Sequence, residues 1–172
     1  STFFGNGVVS HVQFGKPVCS ELKGILINAA QNIGLNLHNN GTYICMEGPV
    51  FSSRAESNLY RSWGADIIGM TNAQEAKLAR EAEIAFASIA LATDYDCWHD
   101  SESEVSVDEI IKVMNNNVKN AQKILIESIR NISPNFKNTQ EDALKFAILT
   151  KKSKIPDSVL KDLDLLLGRY LK

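Results

Sequence analysis

The sequence predicts an α/β layered domain with parallel strand pairing, and three observations carry the prediction. Segments with helical and strand-like patterns alternate along the chain. The strand-like runs are short, and Gly- and Asn-containing turns separate them from the helical segments. One long segment, residues 106–130, keeps a 3.6-residue apolar period throughout.

Residues 20–33 read as a helix. Ser20 is its candidate cap, Leu22, Ile25, Leu26, Ala29 and Ile33 form one apolar stripe, and Gly34 stops it. Residues 42–46 form a short β-rich run after the turn-like Asn39-Asn40-Gly41. Residues 53–63 read as a helix closed by Gly64, and residues 65–70 as a buried strand. Residues 72–81 are helical, with Asn72 as cap and Glu75 three positions on. Residues 84–92 are a continuous run of mostly small apolar side chains, as expected of a strand buried on both faces. The long helix opens with a capping box of Ser106 and Glu109 and carries Val107, Ile110, Ile111, Met114, Val118, Ala121, Leu125 and Ile129 on its apolar stripe. Pro134 ends that pattern; a loop, an apolar segment around residues 146–149 and a short helix from Asp157 follow.

A chain of 172 residues suits one domain, so residues 1–172 are expected to form a single one. With 44% hydrophobic and 22% charged residues, a packed core is expected. A net charge of -2, with signs interspersed, gives no concentrated basic patch for nucleic acid. No apolar run reaches the ~18 residues of a membrane span. The opening Ser1-Thr2-Phe3-Phe4-Gly5 has neither the basic nor the apolar region of a signal peptide, and it lacks a methionine, so the chain is expected to begin partway through a longer protein. Cys19, Cys45 and Cys97 are widely spaced, as are His11, His38 and His99; no zinc-type cluster arises, and reduced thiols in a cytoplasmic protein are expected.

Ligands of open α/β sheets sit beyond the carboxyl ends of strands. That rule selects residues 47–53, Met70-Thr71 and residues 93–98. In the third loop, Asp94 and Asp96 flank Tyr95 directly after the apolar run. The plainer reading is a loop that caps the next helix or holds a cation. The sharper one is a purine reader. Adenine offers a donor at its 6-amino group and an acceptor at N7; one carboxylate accepts from the first, and a protonated carboxyl donates to the second. Protonation at N7 makes the purine a better leaving group, and a buried carboxyl with raised pKa is the expected form of such an acid. In the second loop, Met70 fits a ribose face and Thr71 an anion at a helix start, although Met70 alone reads as core. In the first, Phe51 offers an aromatic face to a base or to the core, and Glu47 pairs with Arg54 or, like Glu56, binds ribose hydroxyls.

Four stretches carry a resemblance to a known family. They are Glu47-Gly48-Pro49, Phe51-Ser52-Ser53-Arg54-Ala55-Glu56-Ser57, Ser62-Trp63-Gly64-Ala65-Asp66-Ile67-Ile68-Gly69-Met70-Thr71 and Ala92-Thr93-Asp94-Tyr95-Asp96-Cys97-Trp98. In this order and spacing they resemble the 5'-methylthioadenosine phosphorylases, from about His11 to about Asn131. The resemblance implies a nucleoside phosphorylase-type α/β domain, with a mostly parallel central sheet flanked by helices, of which this chain is the C-terminal part. It implies cleavage of methylthioadenosine with phosphate to adenine and methylthioribose 1-phosphate. Family members are trimers or hexamers and need no metal or organic cofactor, phosphate being a co-substrate.

Position by position, the resemblance makes Asp94 the N7 partner and catalytic acid and Asp96 the acceptor from the 6-amino group, with Tyr95 between them in the substrate-binding loop. Phe51 packs on the base, Ser52 and Val107 bear on substrate choice, Met70 contacts ribose and Thr71 phosphate. His11 matches a residue near the 5' substituent, contributed across a subunit interface. An acid at Asp94 points to 6-aminopurines, because a 6-oxopurine phosphorylase would carry Asn there. Val50 stands where the family has Arg, and Gln74 where it has Pro. The family's phosphate site is built mostly from a Gly-rich loop and an Arg-His pair that these residues lack, so either the chain is a fragment or a companion N-terminal polypeptide is expected. The alternatives are a phosphorylase for other purine nucleosides, a hydrolytic nucleosidase, and a non-catalytic adenine-binding or scaffold chain. A small apolar Val107 favours a methylthio group over a hydroxyl.

Overall fold

The computed structural model describes residues 1–99 and 107–171, without the side chain of Val107. Its elements are α1 (Ser20–Asn32), β1 (Tyr43–Cys45), α2 (Arg54–Ser62), β2 (Ile67–Gly69), α3 (Asn72–Glu81), α4 (Val107–Asn131), α5 (Asp157–Asp162) and α6 (Asp164–Leu167). By its internal contacts the chain divides into two compact units. One comprises Ser1–Lys23, Ala73–Ser88 and Asn135–Lys172; the other comprises Gly24–Asn72 and Ile89–Pro134.

The second unit holds the sheet. β1 and β2 pair in parallel with Tyr43 opposite Ile67, Ile44 opposite Ile68 and Cys45 opposite Gly69, and α2 connects them. The Asp66 carboxylate fixes the register at one end by accepting from Thr42 N at 2.6 Å, while Met46 N donates to Gly69 O at 2.9 Å at the other. α1 ends as its sequence predicts. Gly34 takes φ 71°, Leu35 N donates to Ala30 O at 2.9 Å and Gly34 N to Gln31 O at 3.0 Å. This is the double hydrogen bond of a glycine C-cap. Ala29 and Ala30 of α1 bury against Ile124 of α4, with Leu26, Ile33, Leu35 and Ile89 packed around them. The rest of the α4 stripe is less covered: Ile111, Met114, Val118, Leu125 and Ile129 are all exposed.

Four expectations need correction or fall outside the description. Residues 84–92 form no strand: Ile84 and Leu91 are exposed, Phe86 O accepts from Cys19 N at 2.8 Å, and Ala92 O accepts from Asn117 Nδ2 at 2.7 Å. A strand requires a continuous ladder, and apolar composition alone supplies no partner for one. Ser20 and Asn72 are the first residues of α1 and α3 rather than their caps, which puts Cys19 and Thr71 at the capping positions. The Ser106 capping box lies outside the described residues.

The first unit packs Phe4, Val8, Leu144, Ala147, Ile155 and Leu167 into one core. Ser10 bridges Ile148 in antiparallel fashion, which gives part of the apolar segment around residues 146–149 its place; Phe146 itself points to solvent. The helix expected from Asp157 is present and continues as α6. Glu83 ties this unit together. It follows α3 with a left-handed φ of 57°, and its Oε1 accepts from Leu144 N at 2.9 Å and from the Tyr170 hydroxyl at 2.5 Å. Arg169 approaches its other oxygen at 3.3 Å. One carboxylate thus collects three donors from the C-terminal segment.

Candidate functional site

In a parallel pair both carboxyl ends lie at one edge of the sheet, so β1 and β2 deliver the loops after them side by side. A local contact joins the two loops. Gly48 adopts φ 68°, the Gly48–Pro49 peptide is cis, and the methyl of Met70 fills the space a side chain at 48 would need, an ideal Cβ lying 1.9 Å from Met70 Cε. A glycine here lets the backbone of the first loop pass under Met70.

Loop 93–99 is fastened to the first loop as well. The Cys97 thiol donates to Ser52 O at 3.4 Å, and Ser52 Oγ donates to Met46 Sδ at 3.4 Å. Asp94 accepts from Thr93 Oγ1 at 2.5 Å, and Asp96 Oδ1 accepts from Cys97 N at 2.9 Å. His99 N donates to Asp96 O at 3.1 Å, closing a tight turn between the two carboxylates and the rings that follow. Tyr95 stacks on His99 with centroids 4.5 Å apart, and Trp98 meets both rings edge-on. The guanidinium of Arg61, at the end of α2, sits 3.7 Å above the Trp98 ring.

The three loops selected by the strand-end rule are therefore in mutual contact through the first of them, although residues 84–92 before the third are not a strand. Phe51 and Tyr95 are exposed, at 77% and 70%, so each offers a ring face rather than a core contact. Asp94 and Thr71 are exposed, while Asp96, Ser52 and Met70 are half-buried. The burial expected of the acid at Asp94 is not supplied by the described residues. Glu56, expected to pair or to bind ribose hydroxyls, instead caps α2: its carboxylate accepts from Ser53 N at 2.8 Å and Ser53 Oγ at 2.7 Å, completing a capping box. The Ser53 main-chain N–H holds that carboxyl below the usual range. The S-x-x-E pattern that signals the box is present in the sequence.

The side chain of Val107 lies outside the described residues. His11 belongs to the other unit, where with Ser10, Val12, Phe14, Lys77, Arg80 and Glu81 it lines an open cavity of about 300 Å³. Arg80 there donates to Gln13 O at 2.6 Å and also to Lys16 O. Among the described residues no group of His, Cys, Asp and Glu is placed to hold a metal ion, and no helix is long and apolar enough to cross a membrane. Sequence reasoning missed Arg61, the Cys97 thiol and the Gly48 cradle as parts of this site. Only the glycine carried a local signal, standing before proline in a loop at a strand end.

β1, α2 and β2 thus form a parallel β-α-β unit whose strand-end loops carry Phe51 and Met70, with the turn bearing Asp94 and Asp96 fastened to the first of them. The family model for the Phosphorylase superfamily matches residues 1–130, and the chain belongs to that superfamily. Among its relatives, the S-methyl-5'-thioadenosine phosphorylase of Geobacter sulfurreducens is 55% identical over 99% of this chain and 60% of its own length. That of Thermosynechococcus vestitus is 51% identical over 99% and 61%. The crystal structure of a methylthioadenosine phosphorylase from an Antarctic soil metagenomic library superposes with a TM-score of 0.90 at 46% identity, covering 97% of this chain and 60% of that one. An adenosine/methylthioadenosine phosphorylase variant from Schistosoma mansoni, in complex with methylthioadenosine, gives 0.74 at 32% identity over 84% and 56%. The chain thus spans about 60% of the length of the curated relatives it matches.

Proposed function

We propose that this chain is the purine-reading part of a pentosyltransferase that cleaves 5'-methylthioadenosine with phosphate, giving adenine and 5-methylthioribose 1-phosphate. The observation that carries the reading is the fastening of the Asp94-Tyr95-Asp96 turn to the Phe51-Ser52 loop through the Cys97 thiol. It places two carboxylates and an exposed aromatic ring on neighbouring loops, the set an aminopurine requires. The names borne by relatives at 43–55% identity agree with it.

In this mechanism Asp96 accepts from the 6-amino group while Asp94 is the proton donor to N7. The C1'–N9 bond breaks with its electron pair moving into the purine, Asp94 passes its proton to N7, and a phosphate oxygen forms the new bond to C1'. Phe51 stacks on the base, with Tyr95 beside it in the same wall. Met70, seated on Gly48, packs on the ribose. Thr71, at the capping position of α3, donates to the phosphate, where the helix start favours an anion. Ser52 and Val107 shape substrate choice, and His11 serves the 5' substituent from a neighbouring subunit of a trimer. One neutral hydrogen bond from Thr71 contributes only about 0.5–1.5 kcal/mol. The remaining phosphate contacts therefore come from the segment that the relatives carry and this chain does not span, as a companion polypeptide or a continuation of the same one. Phosphate is a co-substrate, no metal or organic cofactor takes part, and the enzyme works in the cytoplasm. A second substrate, adenosine, is favoured by the dual name of the Schistosoma neighbours.

The test is phosphate-dependent release of adenine from methylthioadenosine, measured with and without that segment. Activity appears only with it, and Asp94→Asn then lowers kcat by about 10²–10⁴ while leaving the fold intact. An Asp94→Asn protein that keeps most of its rate removes the acid from the scheme.

A further inference from the structure

We propose that Arg61 and Trp98 form a clamp that sets where Asp94 and Asp96 stand, which makes Arg61 a positioning residue for purine recognition; the proposal rests on the reading of the 93–98 turn given above.

Arg61 lies in the last turn of α2, on the exposed side of the helix. Among the described residues its side chain has no hydrogen bond and no ion pair. Its contact is the indole of Trp98, with the guanidinium centre 3.7 Å from the ring centroid, close enough for flat stacking. Guanidinium suits this role because it is planar and weakly hydrated, whereas an ammonium group is a strongly hydrated point charge.

Trp98 in turn organises the site turn. Its ring meets Tyr95 at 5.7 Å and His99 at 5.2 Å, and those two stack on each other at 4.5 Å. The three rings therefore close over residues 95–99, the same stretch in which His99 N bonds Asp96 O and Cys97 N bonds the Asp96 carboxylate. Asp94 and Asp96 flank Tyr95 in the chain, and the Asp96 carboxylate is bonded to Cys97 N within the same stretch as the ring cluster. α2 anchors that stretch at two places. Its capped start follows Ser52, whose carbonyl accepts from Cys97, and its last turn supplies Arg61. Two anchors fix the orientation of the turn, where one would leave it free to pivot about Cys97. The same helix begins directly after Phe51 and Ser52, so it links the aromatic face for the base to the carboxylates that read the base edge.

The experiment is calorimetric titration of the full protein with adenine, together with kcat and KM for methylthioadenosine, on Arg61→Ala, Arg61→Lys, Trp98→Phe, Trp98→Ala and the Arg61→Ala/Trp98→Ala pair. Removing the guanidinium weakens adenine binding and raises KM by about 2–30-fold, the span of an exposed to desolvated cation–π contact. Arg61→Lys and Trp98→Phe fall between wild type and the alanine variants. The double variant is no worse than the more severe single one, because both remove the same contact. A merely structural role would lower the folded fraction and so the apparent kcat, while leaving KM and the adenine affinity of the folded molecules unchanged. That outcome, or single effects that multiply in the double variant, overturns the clamp. If the alanine variants fail to fold, Arg61→Lys and Trp98→Phe decide on the same criteria. A wild-type protein that binds no adenine refutes the purine reading itself, a result separable from wild-type binding that the Arg61 variants leave untouched.

Discussion

Replacing Gly48 by alanine tests the contact that joins the two strand-end loops. Gly48 has φ 68°, and a Cβ there would lie 1.9 Å from Met70 Cε. The left-handed backbone costs an alanine about 1–2 kcal/mol. The overlap involves the far end of a flexible side chain, so Met70 yields rather than the backbone, at roughly 0.5–1.5 kcal/mol for a displaced rotamer. Together these give about 1.5–3.5 kcal/mol of destabilisation, or a fall in Tm of about 3–14 °C for a chain of this size. The second consequence is functional: a displaced thioether no longer packs where the ribose is proposed to sit, and KM for methylthioadenosine rises. The assay is a cycle with Met70→Ala, in which thermal unfolding and KM are measured on both single variants and the double. Truncating Met70 relieves the overlap but not the backbone strain, so the double variant is less destabilised than the sum of the singles. Strictly additive effects, or a Gly48→Ala protein with wild-type Tm and KM, would refute the reasoning.

Glu83→Ala removes the acceptor of the Leu144 amide and the Tyr170 hydroxyl and the ion-pair partner of Arg169, and should cost about 2–4 kcal/mol, read as a lower urea midpoint with little change in the slope. A loss under about 1 kcal/mol would mean that water replaces those contacts. Tyr170 predicts an alkaline slope. Burial, and then donation to Glu83, raise its pKa above the ordinary 10, so the fold favours the neutral phenol. Its contribution is fully present below about pH 10 and is lost as pH rises through the raised value. Tm measured from pH 8 to 11.5 should fall at the alkaline end, less steeply in Tyr170→Phe; identical profiles would exclude this linkage.

The helices were legible because their signals are local. Apolar spacing and Gly34 marked α1 to within a residue, and the long 3.6-residue period marked α4. Residues 84–92 misled because small apolar side chains report a preference for burial, while strand identity is a property of two segments and of the hydrogen bonds between them. The same distinction runs through the site. A rule about strand ends selected residues 47–53, 70–71 and 93–98, and the structure joins them; yet each joint is non-local. Cys97 reaches Ser52 across 45 positions, Met70 covers Gly48, and Arg61 covers Trp98. No pattern within one segment encodes such a pair. In the proposed site, carboxylates at 94 and 96 set which hydrogen bonds are offered to a purine, and in the proposed clamp their placement depends on a thiol and an indole in the same turn and on their partners in and beside α2. The proposed clamp predicts that a substitution at Arg61 alters base recognition without touching either carboxylate, which makes the adenine affinity of the Arg61 variants, rather than their stability, the decisive quantity.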